Sequence, residues 1–146
     1  MDSNVLDMLN KINEIENEFD DTIFIPCTEF DVDYFVDWIE KQRPGLELDL
    51  SDFLSFSKIV NGLNVNGLFV YSLSPSAENN IYDSNLDWWS SEQRSVYLFF
   101  ADDDISWYCV DIKDGAFCIL DKPSGDKTNE YGSFDELISI ALGTAI

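Results

Sequence analysis

Five consecutive apolar residues, Val96 to Phe100, lie just before three aspartates, Asp102 to Asp104. A strand that is apolar at every position, and not only at alternate ones, is typical of a sheet position covered on both faces. The run therefore predicts a central strand that ends at the aspartates. The chain has 146 residues, which is enough for one hydrophobic core, so we expect a single domain over residues 1–146.

Further strands are expected around this one. Leu68 to Tyr71 is a short apolar run and predicts a strand. Residues 105–112 and 116–121 predict a hairpin closed by a two-residue Asp114-Gly115 turn. In that register the two cysteines of the hairpin do not face each other, so we expect buried thiols and no disulfide. Residues 122–131 are polar, contain proline and glycine, and predict a loop.

Helices are expected on either side of these strands in the sequence. The apolar residues within positions 4–19 recur every three or four positions, as in an amphipathic helix. Thr28 and Asp31 have the spacing of a capping box at the start of a second helix, and Ser133 with Glu136 marks the last one. On the second helix we expect a buried face made of Phe30, Tyr34, Phe35, Trp38 and Ile39.

The remaining segments complete the expected fold. Residues 51–60 predict a third helix that ends at Asn61-Gly62, whereas residues 81–90 are expected to be irregular or briefly helical. Helices followed by antiparallel strands and a final helix indicate an α+β fold and not a parallel doubly wound sheet.

Three segments carry a resemblance to a known family. They are residues 53–71, FLSFSKIVNGLNVNGLFVY, residues 103–109, DDISWYC, and residues 119–137, ILDKPSGDKTNEYGSFDEL. In order and spacing they resemble the YrhA-type branch of the SUKH superfamily, the Smi-Knr-like domains. The resemblance implies a central antiparallel sheet flanked by helices. It also implies a binding role without a catalytic motif, because many bacterial members look like immunity proteins encoded beside polymorphic or contact-dependent toxins.

The charge of the chain is strongly one-sided. It has 29 acidic and 8 basic residues and a formal net charge of -21, spread along the whole sequence. The surplus carboxylates must stay in water at the surface, where they serve solubility or match a basic partner and speed encounter with it. Direct binding to nucleic acid is not expected, because the 8 basic residues can neutralise only a small number of its phosphate charges.

The composition also disfavours catalysis, and we expect no enzyme activity. Histidine is absent, which removes the commonest general base, the Ser-His and Cys-His pairs and most zinc sites. The three aspartates at residues 102–104 lack the alternating ligands of a calcium loop, so we expect no metal and no cofactor. No segment has the apolar length of a membrane span, and the N-terminus lacks a basic signal start, so we expect a cytoplasmic protein that binds no membrane.

The sequence thus predicts an immunity protein that occludes the basic surface of a cognate toxin, either a nuclease or another nucleic-acid-modifying domain. Nucleases must bind phosphates, so their clefts are basic. Within Trp88-Trp89, one ring could face outward as an interface anchor, or both could pack internally. The alternative function is a regulatory or scaffolding module with an ordinary cellular partner. The expected contact residues are Asp83, Asp87, Trp89, Glu92, Asp102, Asp103 and Asp104.

Overall fold

The computed structural model describes residues 2–18 and 24–146, with side chains for residues 2–15 and 24–146. Six strands form one sheet, and each pairs antiparallel with the next along the chain. The strands are β1 (Leu63–Val65), β2 (Leu68–Val70), β3 (Tyr97–Asp102), β4 (Ser106–Asp111), β5 (Phe117–Asp121) and β6 (Lys127–Tyr131). The helices are α1 (Ser3–Glu18), α2 (Glu29–Gln42), α3 (Ser51–Ser57), α4 (Ile81–Trp88) and α5 (Phe134–Thr144).

These elements confirm the α+β class with an antiparallel sheet. Helix α1 matches the helix expected at residues 4–19 as far as Glu18, and the predicted last residue, Phe19, lies outside the described residues. Helix α3 is shorter than expected and is followed by a turn, although Phe53, Phe56 and Val60 are all buried.

Strand β3 lies inside the sheet and is covered on both faces, as its apolar run predicts. Residues 98–101 are all buried. The ring of Phe100 packs against Phe53 of α3 and Phe134 of α5, with ring centroids 4.8 and 5.2 Å apart. The neighbouring Phe99 lies 6.4 Å from the ring of Trp88 on α4. Helices α3 and α5 therefore cover one face of β3, and α4 covers the other.

The helix starts expected from the sequence are confirmed for α2 and α5. The Thr28 hydroxyl accepts the Asp31 backbone N–H at 3.2 Å, and the Asp31 carboxylate accepts the Thr28 N–H at 3.0 Å. At the start of α5, the Ser133 hydroxyl accepts the Glu136 N–H at 3.2 Å. These contacts satisfy backbone donors that the first turn of a helix leaves unpaired.

The buried face predicted for α2 is wrong in part. Phe35 and Ile39 are buried, but Phe30 is 68% exposed and Tyr34 is 41% exposed. The physical reason lies in the capping box, because Asp31 is itself buried. The buried positions then run from Asp31 through Phe35 to Ile39 at one residue per turn. With this side of α2 facing the core, Phe30 and Tyr34 face solvent.

The register predicted for the β4–β5 hairpin is also wrong. The Asp111 backbone N–H donates to the Ala116 carbonyl at 2.8 Å, so the four residues between them, and not two, form the loop. The Gly115 N–H donates to the Asp111 carbonyl at 2.9 Å and closes this wider loop. As a result Cys109 lies opposite Cys118, and their Sγ atoms are 3.6 Å apart as buried free thiols.

Two strands differ from the sequence prediction. Strand β6 occupies part of the predicted loop at residues 122–131, where exposed residues are ordered by pairing with β5 and not by an apolar pattern. Strand β1 precedes the Asn66-Gly67 turn, and the φ angles of 48° and 84° at these two residues suit a two-residue hairpin. The Asn-Gly pair was the available signal for β1.

Gly62 lies where the chain passes close to Ser72. Its φ is +90°, and a Cβ atom at this position would lie 2.9 Å from the Ser72 Cβ. We expect Gly62→Ala to lower the free energy of unfolding by about 2–3 kcal/mol, because alanine adds left-handed backbone strain and a close contact. Urea unfolding followed by tryptophan fluorescence measures the change. Gly132→Ala is the control, since nothing lies within 4 Å of its Cβ position, and equal midpoints for the two variants would contradict the expectation.

Candidate functional site

The residues expected to contact a partner form two groups. One lies on α4 and in the turn after it, and the other lies at the end of β3. The first comprises Asp83, Asp87, Trp89 and Glu92, and the second comprises Asp102, Asp103 and Asp104. Those that are exposed are Asp83, Asp87, Glu92 and Asp104.

Helix α4 begins at a polar cap, which explains why a regular helix forms within residues 81–90. The Asn80 Oδ1 accepts the Asp83 N–H at 2.8 Å, and the Asn80 Nδ2 donates to Asp83 Oδ2 at 3.1 Å. The charge of Asp83 is stabilised in the first turn by the helix dipole. Asp87 lies one turn further on, beside Leu86, which is 48% exposed. Helix α4 thus presents two carboxylates and an apolar side chain to solvent.

Asn85 fixes α4 to the sheet. It is fully buried, its Oδ1 accepts the Phe99 N–H at 2.8 Å, and its Nδ2 donates to the Phe99 carbonyl at 3.0 Å. The β3–β4 ladder shifts its register between Phe99 and Ala101, so the amide satisfies backbone groups at an irregularity of the sheet. The sequence does not distinguish Asn85 from the other asparagines of the chain, and sequence reasoning missed it.

Both rings of Trp88-Trp89 pack within the protein. The Trp89 indole stacks on Trp38 with centroids 5.6 Å apart and an interplanar angle of 7°. The Arg43 guanidinium lies 4.3 Å from the centroid of the same ring, and the Trp89 Nε1 donates to the Tyr97 carbonyl at 2.6 Å. Trp88 is likewise half-buried. Of the two arrangements left open by the sequence, internal packing describes the pair, and Trp89 offers only part of its surface to a partner.

Asp102 belongs to a chain of hydrogen bonds inside the protein. The Trp88 Nε1 donates to the Tyr71 hydroxyl at 3.0 Å, which in turn donates to Asp102 Oδ1 at 2.8 Å. The Lys122 ammonium donates to Asp102 Oδ2 at 2.5 Å. Burial raises the pKa of Tyr71 well above its ordinary value, and the charge of Asp102 raises it further. Because Lys122 neutralises Asp102, this carboxylate has little charge left for a partner.

The other two aspartates of the run differ in their surroundings. Asp103 Oδ1 accepts the backbone N–H groups of Ile105 and Ser106 at 3.0 and 2.8 Å, and its Oδ2 accepts the Tyr108 hydroxyl at 2.8 Å. Burial raises the pKa of Tyr108, and the bond to Asp103 adds to that rise. Asp103 therefore holds the turn into β4, whereas the Asp104 side chain is exposed.

A groove with a volume of about 350 Å³ lies between α4 and the first three strands. Its lining combines carboxylates, side-chain amides, a hydroxyl and aromatic rings. The lining residues are Asn64, Phe69, Tyr71, Glu78, Asn79, Ser84 and Asp102. Of the expected contact residues, Asp102 is among the lining residues, and α4 contributes Ser84 to the groove. Asp102 is already paired with Lys122, so Glu78, beside the aromatic rings, is the carboxylate of the groove that is suited to a lysine or arginine side chain.

The exposed side of α2 adjoins that of α4. The Tyr34 ring packs edge-on against Tyr82 of α4 at 4.9 Å and lies 6.1 Å from Phe30. Asp33 and Asp37 are exposed on the same side of α2, one turn apart, and Asp37 forms a solvent-exposed ion pair with Lys41 at 2.8 Å. We name the combined surface the acidic face, and its members are Phe30, Asp33, Tyr34, Asp37, Asp83, Leu86 and Asp87. Sequence reasoning missed its aromatic part, because it assigned Phe30 and Tyr34 to the core.

Two kinds of feature are absent from residues 2–18 and 24–146. Within these ranges, no three histidine, cysteine, aspartate or glutamate side chains are arranged to hold a metal ion. None of the helices described there has both the length and the apolar character required to cross a bilayer.

The chain was compared with models of known protein families and with curated proteins, and neither comparison gave a match. The resemblance to the SUKH superfamily stays a prediction from the sequence.

Proposed function

We propose that this protein is a non-enzymatic inhibitor that binds the basic surface of a toxin in the cytoplasm and blocks it by covering it. The observation that carries the proposal is the acidic face, where exposed side chains such as Phe30 and Leu86 lie among carboxylates. Apolar side chains supply the burial that a protein interface needs, and surrounding charges of one sign select the partner.

The charge of the whole chain supports a basic partner. With a formal net charge of -21, the protein attracts cationic surfaces over distances beyond contact. Such steering raises the association rate above the roughly 10⁵–10⁶ M⁻¹s⁻¹ of neutral partners, and salt screens it. A binding rate that falls steeply with salt is therefore part of the proposal.

A nuclease, or another nucleic-acid-modifying toxin, fits this surface best. Such a toxin must bind phosphates, so lysines and arginines line its cleft. The acidic face would meet this cleft, and the groove beside Glu78 would receive one of its cationic side chains. The sequence resemblance to immunity proteins points to the same class of partner.

The test uses the product of the gene adjacent to the one that encodes this chain. We expect that product to arrest growth when it is expressed alone, and co-expression of this chain to restore growth. The two proteins should co-purify, and the complex should lack the nuclease activity of the free toxin. A harmless neighbour, or continued arrest despite well-expressed protein, would contradict the proposal. Stable co-purification with a non-toxic cellular protein would favour the regulatory module instead.

A further inference from the structure

One small pocket differs in charge from the rest of this acidic protein. It has a volume of about 140 Å³ and lies beside β4 and β5. Two of the 8 basic residues of the chain, Arg94 and Lys122, line it together with Gln93, Trp107 and Ser124. No aspartate or glutamate is among its described lining residues, although the chain has 29 of them.

Arg94 forms no ion pair with a described carboxylate, although the chain is rich in acidic residues. Its Nε donates to the Trp88 carbonyl at 3.1 Å, and its guanidinium lies over the Trp107 ring, 5.4 Å from the centroid. Among the described residues, no carboxylate lies within ion-pair distance of it. A guanidinium has five N–H donors, so most of its donor capacity remains for another group.

The indole N–H of Trp107, which also lines this pocket, is a second hydrogen-bond donor without an acceptor among the described residues. Only 4% of the residue is exposed, and its indole N–H has no acceptor among the described residues. A buried donor without an acceptor is unusual in a folded protein and calls for an explanation. The Lys122 ammonium lies 5.9 Å from the centroid of the same ring, so two cations flank one indole. Lys122 is already paired with Asp102, so the donors that still lack an acceptor are those of the Arg94 guanidinium and the Trp107 N–H.

We infer that this pocket, the Arg94 pocket, binds a carboxylate group. The planar fork of a guanidinium matches the two oxygens of a carboxylate. A singly charged group also suits a chain of net charge -21 better than a phosphate dianion, because repulsion from the rest of the protein grows with ligand charge. The carboxylate can belong to a free small acid, to an acidic side chain or to the C-terminus of a protein.

The test follows the indole N–H resonances of the ¹⁵N-labelled protein, which has four tryptophans. Acetate is titrated at constant ionic strength with chloride as the balancing anion. We expect one resonance, identified as that of Trp107 by its loss in Trp107→Phe, to shift with saturation in the millimolar range, as suits a ligand with so few atoms. Arg94→Gln should weaken acetate binding by about tenfold. The affinity of Arg94→Lys should lie between those of Arg94→Gln and the wild type, because lysine keeps the positive charge but lacks the planar pair of N–H donors. Lys58→Gln, at an exposed lysine, should bind as the wild type does.

Three further ligands separate the possible sources of the carboxylate. N-acetylglycine mimics a protein C-terminus, the α-amide of N-acetylglutamic acid mimics an acidic side chain, and neutral N-acetylglycinamide is the control. Saturable binding of at least one acid, lost with Arg94→Gln while the other indole resonances keep their positions, supports the site. Shifts that stay linear, that equal those with chloride, or that persist in Arg94→Gln overturn it. The site does not depend on toxin binding, so either result leaves the growth and co-purification test unaffected.

Discussion

Replacing Asn85 with alanine is expected to lower the free energy of unfolding by about 4 kcal/mol, a large part of the stability of a domain of this size. The substitution removes the partners of two buried backbone groups, the Phe99 N–H and the Phe99 carbonyl. A buried group left unpaired costs about 1–3 kcal/mol, and the volume lost with the amide adds to it. Urea unfolding followed by tryptophan fluorescence measures the change.

The matched control for this prediction is Asn129→Ala. Asn129 is an exposed asparagine on β6, so its replacement should change the free energy of unfolding by less than about 0.5 kcal/mol. If Asn85→Ala unfolds at the same urea concentration as this control, α4 is not held on the sheet by the Asn85 amide. Because α4 carries Asp83 and Asp87, the same substitution should also weaken partner binding by loosening the helix that presents them.

Local signals were sufficient for the parts of the fold that depend on neighbouring residues. The capping contact between Thr28 and Asp31 and the apolar run of β3 are both properties of short segments. The rotation of α2 was not predictable in the same way, because the burial of Asp31 depends on what packs over it. For the β4–β5 hairpin, Asp114-Gly115 fits a two-residue turn or a longer one, and the contacts of Asp111 decide between them.

In the candidate site, too, the sequence predicted some features, and others depended on tertiary contacts. Sequence identified carboxylates with exposed positions, such as Asp83, Asp87 and Asp104. It did not reveal that Asp102 is paired with Lys122, because that contact joins residues 20 positions apart. An aspartate in a run looks the same in the sequence whether it faces solvent or a lysine. The free charge of the surface is therefore located by tertiary contacts and not by the count of acidic residues.

Reversing the charge of Asp83 and Asp87 tests whether the unpaired carboxylates of α4 contribute to toxin binding. The two substitutions to lysine each add two units, so the formal net charge changes from -21 to about -17. We expect the association rate with the toxin at low salt to fall by roughly 10- to 100-fold, because steering depends on charges at the contact surface. The dependence of the rate on salt should become shallower. Stopped-flow binding with the purified toxin over a range of salt concentrations measures both.

The matched control separates the acidic face from net charge. Asp7→Lys with Glu14→Lys makes the same change in charge at exposed positions of α1, which packs on α5 and so lies on the other side of the sheet from α4. We expect this variant to bind within about threefold of the wild-type rate, because its charges lie on the opposite side of the sheet from α4 and salt screens exposed charges that are far from the contact. Thermal unfolding of both variants confirms that each remains folded. Equal losses in the two variants would mean that overall charge, and not the surface formed by α2 and α4, governs binding, and the assignment of the acidic face would then be wrong.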